Sequence, residues 1–84
     1  MPWFVYIAQA RTGLYYVGIT TDPARRMAAH NSGKGARMAL GQGPFTLKYV
    51  SEELPDQSTA RKLEMKMKKW TRARKERLIQ SVRN

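Results

Sequence analysis

Apolar and polar positions change their period along this chain, and the changes predict where its elements lie. Pro2 to Ala8 and Leu14 to Thr20 are short runs of β-branched and aromatic residues, separated by Arg11-Thr12-Gly13. Such runs around a Gly-containing turn predict a β-hairpin. Thr20-Thr21-Asp22-Pro23 then supplies a capping side chain followed by Pro at the first helical position. A helix is therefore predicted from Pro23 to about Asn31. Ala24, Met27 and Ala28 would form its packed stripe. Arg26 and His30, four residues apart, share a face that flanks this stripe.

The next stretch, Asn31 to Pro44, reads NSGKGARMALGQGP. Its four glycines, with Lys34 and Arg37, predict a mobile basic loop. It is not a Walker phosphate loop, because the Gly-Lys-Ser/Thr element is missing. Phe45 to Ser51 reads as a third strand, and Glu52 to Gln57 as a polar turn containing Pro55. A second helix is predicted from near Ser58 to about Trp70. Ala60, Leu63, Met67 and Trp70 recur at helical spacing as its buried stripe. Thr71 can cap a last helix from Arg72 to about Val82, anchored by Leu78, Ile79 and Val82. The expected order is β-β-α-β-α-α. The fold class is α/β (α+β), a small three-stranded, mainly antiparallel sheet flanked by helices, in one domain over residues 1–84.

Composition narrows the function. A length of 84 residues allows one domain with a modest core. Cysteine is absent, which removes disulfides and thiolate metal sites and fits a reducing, cytoplasmic setting. The apolar N-terminus lacks a basic n-region and is too short for a signal peptide, so it reads as a strand. No apolar run approaches the roughly 18 residues of a membrane span, and no membrane partner is expected. The net charge is +10, and it is unevenly placed. Residues 61–84 hold ten Lys/Arg against Glu64 and Glu76, a net of +8. So local an excess favours a polyanion, with nucleic acid first. Arg25, Lys34, Arg37, Lys68, Lys69 and Arg72 are the expected phosphate contacts. A monomer is assumed.

Taken singly, the candidate chemical groups all have ordinary structural roles. Strand tyrosines such as Tyr6 and Tyr16 usually pack with a wet hydroxyl. Arg26 on a helix is normally a solvated charge. His30, the only histidine, cannot build a metal site alone. Glu64 has Lys68 at i+4, a surface pair contributing roughly 0.3–0.5 kcal/mol.

Taken together and in order, these residues carry a resemblance. Phe4-Val5-Tyr6 and Tyr16-Val17-Gly18, followed by Arg26, His30-Asn31-Ser32-Gly33 and Glu64, resemble the GIY-YIG nuclease superfamily. The chain looks most like its small stand-alone single-domain bacterial members, over nearly its whole length. The resemblance implies a metal-dependent endonuclease that hydrolyses phosphodiester bonds in DNA. It implies that Glu64 holds one divalent ion, Mg²⁺ or Mn²⁺, and that Arg26 binds non-bridging phosphate oxygens. It further implies that Tyr16 takes a proton from the attacking water, with Tyr6 and His30 hydrogen-bonding to that water, to Tyr16 or to phosphate. There are two departures. The first triad carries Phe4 in place of Gly, and Ile19 follows Gly18, so an ammonium cannot stand there. Without a dedicated recognition module, selectivity is expected for nucleic-acid structure rather than sequence. Nicked, branched or single-stranded DNA are candidate substrates. The alternative is a non-catalytic DNA- or RNA-binding protein that uses the basic C-terminal helices, including an RNA- or ribosome-associated role.

Overall fold

The computed structural model describes residues 1–32 and 43–82. Its elements are β1 (Phe4–Gln9), β2 (Tyr15–Thr20), α1 (Pro23–Asn31), β3 (Thr46–Val50), α2 (Gln57–Lys68) and α3 (Arg72–Ser81). The order of elements is the one expected. The three strands form an antiparallel sheet in the order β2-β1-β3. Gly13, at a φ of +97°, lies in the turn that joins β1 to β2, where a side chain would be strained.

Central position explains the composition of β1. Val5, Tyr6, Ile7 and Ala8 are all buried, because the strand is covered on both faces. Val5 and Ile7 point to α2 and α3, in a core with Ile19, Ala60, Met67 and Ile79. Tyr6 and Ala8 point the other way, in a smaller core with Ala10 and Phe45. Tyr16, Met27 and Leu47 pack against that second core, so α1 covers this face. The pairing of β1 with β3 shifts by one residue between Ile7 and Ala8. Beyond β3, the Ser51 hydroxyl accepts from the Val5 amide at 3.0 Å, and Trp3 bridges to Leu54.

Caps set the helix starts. Asp22 accepts from the Arg25 amide at 3.1 Å, with Pro23 in the first turn. Asp56 accepts from the Thr59 amide at 2.7 Å, so α2 starts at Gln57, earlier than the expected Ser58. The turn that contains Pro55 thus ends in the N-cap of α2, Asp56. Thr71 caps α3 as expected, accepting from the Arg74 amide at 3.2 Å.

Two packing expectations are corrected. In α1, Ala24 and Ala28 are exposed, and the inner side carries Pro23, Met27 and His30. His30 therefore lies in the stripe rather than beside it, because its ring packs on Phe45, with centroids 5.2 Å apart. In α3, Val82 is 58% exposed, and the anchors are Leu78 and Ile79. Trp70 lies beyond the end of α2 but still packs on the larger core.

Candidate active site

β2 is an edge strand, and this decides the shape of the site. A cleft of ≈ 610 Å³ is lined by Tyr15, Tyr16, Val17, Gly18 and Ile19 in succession. Consecutive residues of a strand point to opposite faces. A cleft lined by five in a row must therefore wrap the open edge of the sheet. Tyr6, Arg26 and His30 line it from the α1 side, and Arg61, Glu64 and Lys68 from α2. Lys75 of α3 completes the wall. α2 packs on the sheet face opposite Tyr16, yet Glu64 reaches the same cleft around the edge of β2.

The hairpin register places Tyr6 directly across from Gly18. The phenol ring lies over that glycine. A Cβ at position 18 would stand 2.5 Å from the Tyr6 hydroxyl oxygen and 2.7 Å from Cζ. The glycine lets the hydroxyl cross the strand and reach the cleft, a close approach that no other residue permits. There the hydroxyl is 3.0 Å from His30 Nε2. Burial pushes the Tyr6 phenol above its ordinary pKa. Arg26 acts against this, and Glu64 adds to it. Burial, reinforced by Arg26, holds the His30 imidazole below its ordinary pKa.

A neutral imidazole carries one N–H, which leaves two arrangements of this pair. Nδ1 of His30 is buried with no hydrogen-bond partner among the described residues. If Nδ1 carried the proton, a buried donor would be left unmatched. With the proton on Nε2, that N–H donates to the Tyr6 oxygen and the phenol's own proton points into the cleft. The second arrangement leaves only a bare ring lone pair buried, and it is the one that the surroundings favour.

His30 is held from two sides. Phe45 packs against its ring, and the neighbouring Asn31 clamps the backbone of Phe45. The Phe45 amide donates to Asn31 Oδ1 at 2.6 Å, and Asn31 Nδ2 donates back to the Phe45 carbonyl at 3.2 Å. Phe45 also meets Tyr16 edge-on, with centroids 5.5 Å apart. One phenylalanine just before β3 thus braces both Tyr16 and His30.

Glu64 is only 7% exposed, in the otherwise apolar stripe of α2 between Ala60 and Met67. Arg61 Nη1 approaches its Oε1 at 3.6 Å and Lys68 Nζ its Oε2 at 3.4 Å. The Glu64–Lys68 pair read from spacing is therefore present, at the wall of the cleft. Both contacts are longer than the 2.7–2.9 Å of a tight charge-assisted hydrogen bond, so the carboxylate is loosely held.

Tyr6, Tyr16, Arg26, His30, Glu64 and Lys68 are thus brought together. Arg25 lines an adjoining depression of ≈ 290 Å³ that shares Arg26 with the cleft. Lys69 is exposed at the end of α2 and does not line the cleft. Arg72 is engaged elsewhere. Its Nη1 donates to the Gly13 carbonyl at 2.9 Å, its guanidinium covers the Tyr15 ring at 4.4 Å, and its Nε pairs with Glu76 at 3.0 Å. Lys34 and Arg37 lie outside the described residues. Tyr15, Arg61 and Lys75 line the cleft and were not singled out from sequence. Lys75 had a signal, since it precedes Leu78 and Ile79 by three and four residues on the packed face of α3.

A family model described as the GIY-YIG catalytic domain matches residues 2–77. The chain belongs to the GIY-YIG family. It is 42% identical over 77 residues to a UPF0213 protein of Aeromonas hydrophila, covering 92% of this chain and 56% of that relative. A UPF0213 protein of Yersinia pestis is 44% identical over 77 residues, covering 92% of this chain and 80% of the relative. The chain therefore spans little more than half of one such relative and most of another. Among solved structures, the NMR structure of a UPF0213 protein from Bacillus halodurans has a TM-score of 0.61 at 38% identity, covering 98% of this chain and 86% of the other. An E. faecalis protein, also solved by NMR, gives 0.62 at 34% identity, covering 96% and 85%. Both neighbours match the fold of this GIY-YIG chain over nearly its whole length. Among the described residues, no helix is long and apolar enough to cross a membrane.

Proposed function

We propose that this GIY-YIG protein hydrolyses phosphodiester bonds in nucleic acid, DNA before RNA, with a divalent metal ion. One observation carries the reading. Two tyrosines, an arginine, a histidine and a carboxylate from four elements line one open cleft, on a chain of net charge +10. An acidic, extended substrate can enter there and lie against the basic helices.

The donor set restricts the ion. No group of three or more His, Cys, Asp or Glu that could hold a metal exists among the described residues. That does not fit a zinc cage or a calcium site. It fits an ion that takes one protein carboxylate and fills its shell with water and phosphate oxygens, as Mg²⁺ or Mn²⁺ does. Glu64 is that carboxylate in this reading, and the bound ion supplies Lewis-acid stabilisation of charge on the phosphate.

The protein's own groups have assigned tasks. Arg26 binds the non-bridging oxygens through its planar fork. Tyr16, braced by Phe45, takes the proton of the attacking water as a phenolate, and solvent protonates the leaving oxygen. His30 donates to the Tyr6 oxygen, so the Tyr6 hydroxyl donates into the cleft, to water or phosphate. Arg61 and Lys68 accompany Glu64 and add positive charge to the wall. Arg25, in the adjoining depression, meets the next phosphate along the strand. Specificity follows nucleic-acid structure, such as nicks, branches or single strands, because backbone contacts carry no sequence information. A cytoplasmic setting accords with the absence of cysteine.

The test is cleavage of nicked, branched and single-stranded DNA, and of RNA counterparts, with Mg²⁺ or Mn²⁺, by wild type and Tyr16→Phe. Wild type should give product and Tyr16→Phe almost none, with the fold unchanged. Equal product from both proteins would remove Tyr16 from the mechanism. A second reading, a non-catalytic nucleic-acid-binding protein, draws on the ion pairs of Glu64 with Arg61 and Lys68, which occupy the carboxylate. Failure of wild type on every substrate would favour it.

A further inference from the structure

Four cations line the cleft: Arg26, Arg61, Lys68 and Lys75. Glu64 is the one carboxylate among its described lining residues. Arg61 and Lys68 approach its two oxygens, one each. Neither Arg26 nor Lys75 forms an ion pair among the described residues. They come from different helices, α1 and α3, so the uncompensated positive charge of the cleft has two separate sources.

The position of Lys75 is telling. It lies on the packed side of α3, one turn before Leu78 and Ile79, and is half-buried. A lysine there buries its stem along apolar neighbours and carries its ammonium to the nearest water. Here the nearest water is the cleft. We propose that Lys75 is a phosphate-binding residue of this site, holding the nucleic-acid phosphodiester together with Arg26. This rests on the phosphodiesterase reading and adds to it a residue on α3. The division of labour follows from side-chain chemistry. Arg26 offers a planar two-pronged contact, whereas the lysine ammonium is a compact charge with three rotatable donors. The pair can therefore grip one phosphate group without competing for the same approach.

The ordinary alternative is a lysine that merely snorkels, with no ligand. Lys75→Met separates the two, because it keeps the stem and its packing and removes the charge. Lys75→Arg keeps a charge, and Lys62→Met removes an exposed charge from α2 outside the cleft. Affinity for a nicked DNA duplex is measured without metal across a salt series, alongside thermal melting and Mg²⁺-dependent cleavage. Lys75→Met should melt like wild type, bind about tenfold more weakly and flatten the plot of log affinity against log salt by about 0.9. Its kcat/KM should fall with the affinity, and Lys75→Arg should restore most of both. Lys62→Met should cost distinctly less affinity. Wild-type affinity and slope in Lys75→Met, or a loss no larger than that of Lys62→Met, would overturn the proposal. Absence of product from wild type would remove the phosphodiesterase reading instead, and the Lys75 contact would then be decided by the salt titration alone.

Discussion

The Tyr6 hydroxyl occupies the space that a side chain at Gly18 would need, and the two residues are direct cross-strand partners. Gly18→Ala must therefore displace the Tyr6 ring or part the strands. Either movement breaks the 3.0 Å contact between Tyr6 and His30 Nε2. Overpacking of this kind destabilises by about 1–3 kcal/mol. The expected result is a lower melting temperature together with a loss of cleavage larger than that of Tyr6→Phe, which removes the hydroxyl but leaves the ring. A Gly18→Ala protein that melts and cleaves like wild type would mean the ring does not lie there in solution.

His30 links this pair to pH. Burial and Arg26 hold its imidazole below the ordinary value of 6.5. The unfolded chain therefore takes up the proton more readily than the folded one. The stability it contributes is complete above about pH 6.5 and is lost as pH falls from there through the depressed folded value. Melting temperatures measured between about pH 7.5 and 5 should fall more steeply for wild type than for His30→Gln. Parallel curves for the two proteins would show that His30 titrates alike in both states.

Much of this was legible in the sequence. Strand and helix order followed from β-branched runs, Gly13, and the caps at Asp22 and Thr71, since these act locally. The ordered set from Tyr6 to Glu64 was legible because it matched a family pattern. Other features depend on tertiary packing, which periodicity alone does not report. His30 lies in the packed stripe of α1 because Phe45, fifteen residues on, provides its floor. Glu64 is buried within an apolar stripe, although its Lys68 partner suggested an exposed pair. Lys75 lines the cleft where the start of α3 lies beside the hairpin, with Arg72 over the Tyr15 ring.

Arg72 is predicted to act on stability more than on affinity. Its hydrogen bond to Gly13, its stacking on Tyr15 and its pairing with Glu76 join α3 to the hairpin turn. These are exposed contacts, so Arg72→Ala should cost about 1–2 kcal/mol by denaturant unfolding. The salt dependence of DNA binding should change little, because the guanidinium is already engaged. Lys68→Ala should do the reverse, lowering the salt slope with little effect on unfolding. A marked loss of slope in Arg72→Ala, with unchanged stability, would place Arg72 on the nucleic-acid face after all.

Glu64→Gln separates an enzyme from a binder. The substitution keeps the size of the side chain and removes the charge that faces Arg61 and Lys68. Those two partners are themselves more than half exposed, so water can solvate them when the carboxylate is gone. Stability should therefore change by less than about 1 kcal/mol. Freed from the carboxylate, both cations can turn to phosphate, and affinity for DNA without metal should rise. Both readings share that outcome, and cleavage divides them. If Glu64 holds the ion, metal-dependent cleavage should fall at least about a hundredfold, and Mn²⁺ binding, followed by its electron paramagnetic resonance signal, should weaken in parallel. If the protein only binds, wild type gives no product and the variant merely binds more tightly. A Glu64→Gln protein that still cleaves at the wild-type rate would remove Glu64 from the mechanism, and the pair with Lys68 would then be its whole role.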